Sequence, residues 1–135
     1  VEKKVFDLRA CAFSERHVRL GVLAAMEQGL PLRDSVVLRE AERAANRETP
    51  EARGAWEQTA SAIAAVVPES TSRIWIEPIE CIGEEAHLLL LAAPIGIRTW
   101  IERRYMALID EAVRSTSDFA GARFATISLP ERIPA

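Results

Sequence analysis

The stretch spanning residues 79–94, IECIGEEAHLLLLAAP, decides the fold. Two strand-like apolar runs, residues 79–82 and 87–92, flank Gly83-Glu84-Glu85-Ala86, an arrangement that predicts a β-hairpin turning at residues 83–86. The apolar run 88–95 is far too short to cross a bilayer. Pro94 and Gly96 then break the second strand.

Beyond the hairpin, Ile97, Trp100, Ile101, Tyr105, Leu108, Ile109, Ala112 and Val113 recur at helical spacing and predict one long amphipathic helix. Residues 115–121 read as a loop. In residues 123–129, Ala125, Ile127 and Leu129 alternate with Phe124, Thr126 and Ser128, as a half-buried strand requires. Before the hairpin, Trp56, Thr59 or Ala60, Ile63, Val66 and Val67 mark a helix that Pro68 stops. Residues 69–75 read as a second, short helix, ended by Glu77-Pro78, because a residue before proline is pushed towards extended geometry. The order is ααββαβ, an α+β module.

Upstream, Ser14 is the expected N-cap of a helix running to Gln28, with Glu15 well placed in its first turn. Val18, Val22, Ala25 and Met26 form one apolar face, and Leu20, Leu23 and Ala24 a second. Gly29 supplies the left-handed stop and Pro31 blocks continuation. A second helix starts near Asp34 or Ser35 and runs to about Arg47, with Val37, Leu38, Ala41, Ala44 and Ala45 as a weak stripe. This pair reads as an αα-hairpin or the tail of a winged helix, with half of a helix-turn-helix as the alternative. Residues 46–54 are polar, and Thr49-Pro50 serves equally as linker or as cap followed by a first-turn proline. The expected division is therefore 1–48 for the short helical hairpin and 49–135 for the α+β module.

The totals narrow the function classes. Nearly half of the 135 residues are apolar, 27% are charged and the net charge is −3, so a folded core is expected. Up to Gly54 there are ten basic and nine acidic residues, and after it seven and eleven. Neither half is a basic block, which argues against affinity driven mainly by phosphate neutralisation. Cys11 and Cys81 lie far apart without paired spacing and read as reduced thiols, which suits a cytoplasmic protein. No charged-then-apolar segment opens the chain, so export is not expected. The first residue is Val, read as a fragment of something longer or an alternative start codon.

Catalytic parts are missing. No Gly-rich phosphate loop exists, and the only lysines are Lys3 and Lys4. Cys11, Cys81, His17 and His87 show no zinc-ligand spacing, so no metal and no cofactor are expected. Cys81 and His87 could approach across the hairpin, but no third group orients them as a nucleophilic pair. Glu84-Glu85 reads as a solvated turn pair rather than an acid/base dyad. Glu102, Arg103 and Arg104 read as the outer face of the long helix.

Five pieces in order carry a family resemblance: Ala55-Trp56-Glu57-Gln58; Ile74-Trp75-Ile76-Glu77-Pro78-Ile79 after Pro68; the leucine run ending Ala92-Ala93-Pro94; Thr99 to Tyr105; and Leu108-Ile109. Residues 55–129 resemble the amino-terminal domain (domain I) of the bacterial replication initiator DnaA, whose fold is related to KH domains. The resemblance implies a non-catalytic protein-interaction module in DNA replication initiation. It implies self-association through the first helix, placed on Trp56, and contact with a replicative helicase or initiator through Thr71 with Ser72 beside it. The family's second helicase contact, an aromatic after an Ala-Pro-Asn turn, falls here on Ile95-Gly96-Ile97-Arg98, which lacks the Asn and the aromatic. A KH domain that binds nucleic acid uses a Gly-x-x-Gly loop, and Gly96-Ile97-Arg98-Thr99 lacks the second glycine, so weak or no direct nucleic-acid binding is expected.

Trp75 and Trp100 lie in apolar stripes and are expected as core anchors, with Trp56 left between core edge and partner surface. Two further functions compete. One is a small DNA-binding transcription regulator using the helices of residues 14–47, where Arg33, Arg39, Arg43 and Arg47 give a partly basic helix. The other is a decoy that poisons initiator self-assembly through the same surface as recruitment.

Overall fold

The computed structural model describes residues 14–130. The boundary between two compact units falls between Arg47 and Glu48.

The first unit is an αα-hairpin of α1 (Glu15–Glu27) and α2 (Asp34–Arg47). Ser14 caps α1 by accepting the His17 amide at 3.2 Å, while the His17 ring takes the Ser14 amide at 3.4 Å. This is a capping box with His where Glu or Gln is usual. Gly29 sits at φ +71°. The Leu30 amide returns to Ala25 O at 2.9 Å and the Gly29 amide to Met26 O at 3.1 Å, the paired bonds of a Schellman stop. The helices meet through Val18, Leu20, Gly21, Ala24 and Ala25 on α1 and Val36, Val37 and Ala41 on α2. A methyl on Gly21 would lie 2.5 Å from Val37 O, so the two backbones nearly touch there. Because the crossing centres on Gly21, the buried stripe ends at Ala25. Met26, expected on that stripe, is 59% exposed.

The second unit begins with α3 (Pro50–Ala64), capped by Thr49, whose hydroxyl accepts the Ala52 amide at 3.0 Å. Of the two readings of Thr49-Pro50, cap with first-turn proline is the one that holds. Ala52, Ala55, Trp56, Thr59 and Ile63 form its buried stripe. The helix ends before Val66, which is exposed rather than part of that stripe. The short helix α4 (Glu69–Thr71) runs directly into a π-helical turn, Ser72–Ile76, closed by the Glu77 amide on Ser72 O at 2.9 Å. The wider turn buries Ser72 and Ile76 and leaves Trp75 half-buried.

Strands β1 (Glu80–Glu85) and β2 (Leu88–Ala92) pair antiparallel, and β3 (Gly121–Phe124) joins β2 in parallel, giving the order β1-β2-β3. The hairpin turn is Ala86-His87, not residues 83–86. Both of its residues have positive φ (54° and 67°), the backbone that the twist of a two-residue hairpin demands. Gly83 lies instead at a bulge between Cys81 and Gly83. Leu89, Leu91 and Ala93 point into a core shared with Trp56 and Ile63 of α3 and with Ala122 and Phe124 of β3. Leu90 and Ala92, on the opposite face, are buried too, and a strand buried on both sides reads as an unbroken apolar run.

The long helix predicted from residue 97 onward is two helices, α5 (Ile95–Arg104) and α6 (Met106–Thr116). They are separated at Tyr105 (φ −119°, ψ 0°). The Tyr105 amide still bonds Ile101 O and its carbonyl takes the Ile109 amide, both at 2.8 Å, so the chain turns without leaving those groups bare. This two-helix crossover lets β3 lie parallel to β2. β3 is also earlier than expected: after Phe124 the chain keeps contact with β2 through Ala125 N to Leu91 O (2.8 Å) and Leu129 N to Ala93 O (2.9 Å). Taken together, the fold is a helical hairpin followed by an α+β module of the expected element order, with its fifth element split.

Candidate functional site

Trp56, on the inner stripe of α3, is 7% exposed and packs in the core. Its side chain therefore anchors α3, whose outward residues, Glu57, Gln58 and Ser61 among them, are exposed. Thr71 is half-buried at the end of α4, and Ser72 is buried as the first residue of the π turn. Their exposed neighbours are Arg73, which donates to Glu69 at 2.8 Å, and Ile74 at 52% exposure. A helix whose inward stripe is Ser72 and Ile76 turns Ile74 outward, a consequence of spacing that the sequence already contained.

The segment after Pro94 forms the first turn of α5. Ile95 is 66% exposed, Gly96 is exposed and Ile97 is half-buried against the core. Arg98 is engaged. Its Nη1 donates to Ser128 Oγ at 3.1 Å, to Thr126 O at 3.3 Å and to Ile127 O at 3.4 Å. Its Cζ stands 6.0 Å from the centre of the Phe124 ring, and Glu102 lies 3.8 Å away. Arg98 thus staples the segment after β3 to the start of α5. Trp75 and Tyr105, with ring centres 6.0 Å apart, join the π turn to the C-terminal end of α5.

Trp100 is the main departure from expectation. It was expected in the core, yet it is 47% exposed, because Ile97 and Ile101 carry the inward face of α5 and Trp100 stands off that line. Arg104 lies over its ring, 5.2 Å from the centre.

Cys81 is opposite Leu91 and donates towards Ala52 O at 3.6 Å, whereas His87 is exposed in the turn at the other end of β1. They form no catalytic pair. Glu84 and Glu85 stand on β1 rather than in the turn. Glu84 accepts from the Thr49 hydroxyl at 2.5 Å, and Glu85 pairs with Arg123. On α2, Arg43 is tied to the buried Glu40 at 3.2 Å, and Asp34 and Glu42 interrupt the basic run. No helix among the described residues is long and apolar enough to cross a membrane.

With the α+β unit in hand, its relatives can be placed. Residues 54–115 match the DnaA N-terminal domain. The resemblance carried by Trp56, the Trp75–Pro78 run, Pro94 and Leu108-Ile109 holds over that segment. Two chromosomal replication initiator proteins DnaA show the same likeness. That of Geobacter sulfurreducens is 38% identical over 64 residues, covering 47% of this chain and 14% of its own length. That of Geobacter metallireducens is 41% identical over 64 residues, with the same coverage of both chains. The match thus spans only about one-seventh of these DnaA proteins, at the position of the α+β unit.

Proposed function

We propose that the unit beginning near Thr49 is a non-catalytic protein-interaction module of DNA replication initiation, and that residues up to 48 form a separate helical appendage to it. The observation that carries this reading is the DnaA N-terminal domain match over residues 54–115, which falls wholly within the second compact unit. The partner is a replicative helicase or an initiator protein. It is contacted through Thr71 with Ser72 behind it and through Ile95, Gly96 and Ile97, with Arg98 holding that first turn of α5 in place. Self-association runs over the outer face of α3, and Trp56 supports it from within by fixing the helix on the core.

The burial of Trp56 makes the helicase or initiator contact the better-supported half of this reading, since a 7% exposed ring offers little area to a second copy. The exposed large apolar side chains of this unit are Val66, Ile74, Ile95 and Trp100, of which Ile74 and Ile95 lie at the proposed contact residues. The deciding experiment is binding of the purified chain to the replicative helicase and to the DnaA of its own host, followed by light scattering or interferometry. Affinity on the order of tens of micromolar is expected, as suits a contact multiplied by assembly. It should weaken on Ile95→Ser and Thr71→Arg. No binding to either protein at that concentration overturns the reading.

A further inference from the structure

We propose that the outer face of α5, formed by Gly96, Trp100, Arg103 and Arg104, docks an acidic segment of a partner protein, with one apolar side chain of that segment lying on the Trp100 ring. This rests on the interaction-module reading and names the chemistry of the partner.

Four observations lead there. Trp100 is 47% exposed on a ten-residue helix whose inward positions are filled by the half-buried Ile97 and the buried Ile101. Exposed tryptophan next to arginine is the composition in which binding energy concentrates. Gly96 lies one helical turn before Trp100, the direction in which helical side chains lean, and puts no side chain beside the ring. Arg104 is already set over the ring at 5.2 Å, so part of its ordering cost is met before any partner arrives.

The fourth observation is one of charge. Within the described residues of this unit, Arg53, Arg73, Arg98, Arg114 and Arg123 each have a carboxylate partner. Arg103 and Arg104 have none among those ion pairs. Among the described residues they are the cations of this unit that no carboxylate pairs. Two guanidinium groups that share a helix end with an exposed ring can each take a carboxylate in the two-pronged geometry that arginine favours. A nucleic-acid strand fits less well. It needs a track of cations, and among the described residues of this unit only this pair is without a carboxylate partner.

The test uses the full chain and a synthetic helix-forming peptide of Glu, Ala and Leu with one central Phe. In a nitrogen-labelled sample the indole N–H signals of Trp56, Trp75 and Trp100 are assigned by Trp→Phe variants. Addition of the peptide should move the Trp100 signal and leave that of Trp56 in place. The double variant Arg103→Gln, Arg104→Gln should bind about tenfold more weakly, and the control Arg114→Gln should bind as the parent does. A peptide with Lys replacing every Glu should not bind. The proposal is overturned if the Trp100 signal stays still, if the double variant binds equally well, or if an oligothymidylate moves Trp100 and the acidic peptide does not. Host helicase and DnaA binding measured on the same variants separates the two readings. Binding that persists in the double variant sinks this docking face and leaves the interaction module standing. Peptide binding without either protein does the reverse.

Discussion

Asp110 on α6 accepts the Ala122 amide at 2.8 Å, and this single carboxylate fixes where β3 enters the sheet. A methyl on Gly121, the residue before, would come within 2.8 Å of the same Asp110 oxygen, so the carboxylate would have to shift to admit it. The crossover and the third strand are thereby joined at one point, which explains how two short helices with a break between them still deliver a parallel strand in register.

Asp110→Ala should destabilise the unit by about 1–3 kcal/mol, the usual consequence of leaving a buried amide without an acceptor. Gly121→Ala should cost a similar amount by pushing the carboxylate off that amide. Since both act through one bond, the double variant should lose clearly less than the sum of the singles. Urea unfolding of the four proteins measures it, and strict additivity would show that the two residues act independently.

Thr49 works in two directions, accepting from Ala52 and donating to Glu84. Thr49→Ala should therefore cost more than an ordinary lost cap, about 1–2 kcal/mol, and Thr49→Ser should restore most of it. Glu84→Gln should cost less than Thr49→Ala, because the cap on α3 survives. Thermal unfolding by circular dichroism ranks the three.

What the sequence disclosed, and what it concealed, follows from the range of the forces involved. Ser14 and Gly29 act on their own backbone, and the helix they bound came out within a residue, whereas the helix expected to run up to Pro68 ends already at Ala64. The leucines of β2 announced a strand because a central strand is apolar on both faces. The break at Tyr105 was hidden: Ile97, Ile101, Tyr105, Leu108 and Ile109 keep helical spacing across it, and only tertiary packing turns the chain there. The hairpin turn was hidden because Ala86-His87 adopts positive φ without a Gly or Asn, while Gly83 beside it drew the turn to itself. For the candidate surface, the chain order of Thr71 and Ile95–Arg98 was legible. That Trp56 is inside and Trp100 outside was not, since both occupy the edges of apolar stripes, and a stripe has no sharp edge.

The tryptophans turn this placement into a measurement. Acrylamide should quench the fluorescence of the chain chiefly through Trp100, so Trp100→Phe should remove most of the accessible fraction while Trp56→Phe removes little. Trp56→Ala should destabilise by about 3–5 kcal/mol, as a large ring lost from a core does. Trp100→Ala should change stability by less than about 1 kcal/mol. Equal quenching of Trp56 and Trp100 would contradict the placement.

Arg98 offers the last discrimination, between holding a surface and being one. Its guanidinium is directed to Thr126, Ile127 and Ser128, so Arg98→Ala should loosen the segment after β3. A loss of about 1.5–3 kcal/mol is expected, near that of one hydrogen bond to a charged donor. Amide exchange at Ala125 and Leu129, whose bonds reach Leu91 and Ala93, should speed up before that of Leu89 in the strand centre. Ser128→Ala should reproduce a smaller part of both effects. If Arg98 acts by positioning, partner affinity should fall in step with this loosening across Arg98→Ala and Ser128→Ala, and Arg98→Lys should recover little of either. A variant that loses affinity while exchange stays slow would make Arg98 itself a contact.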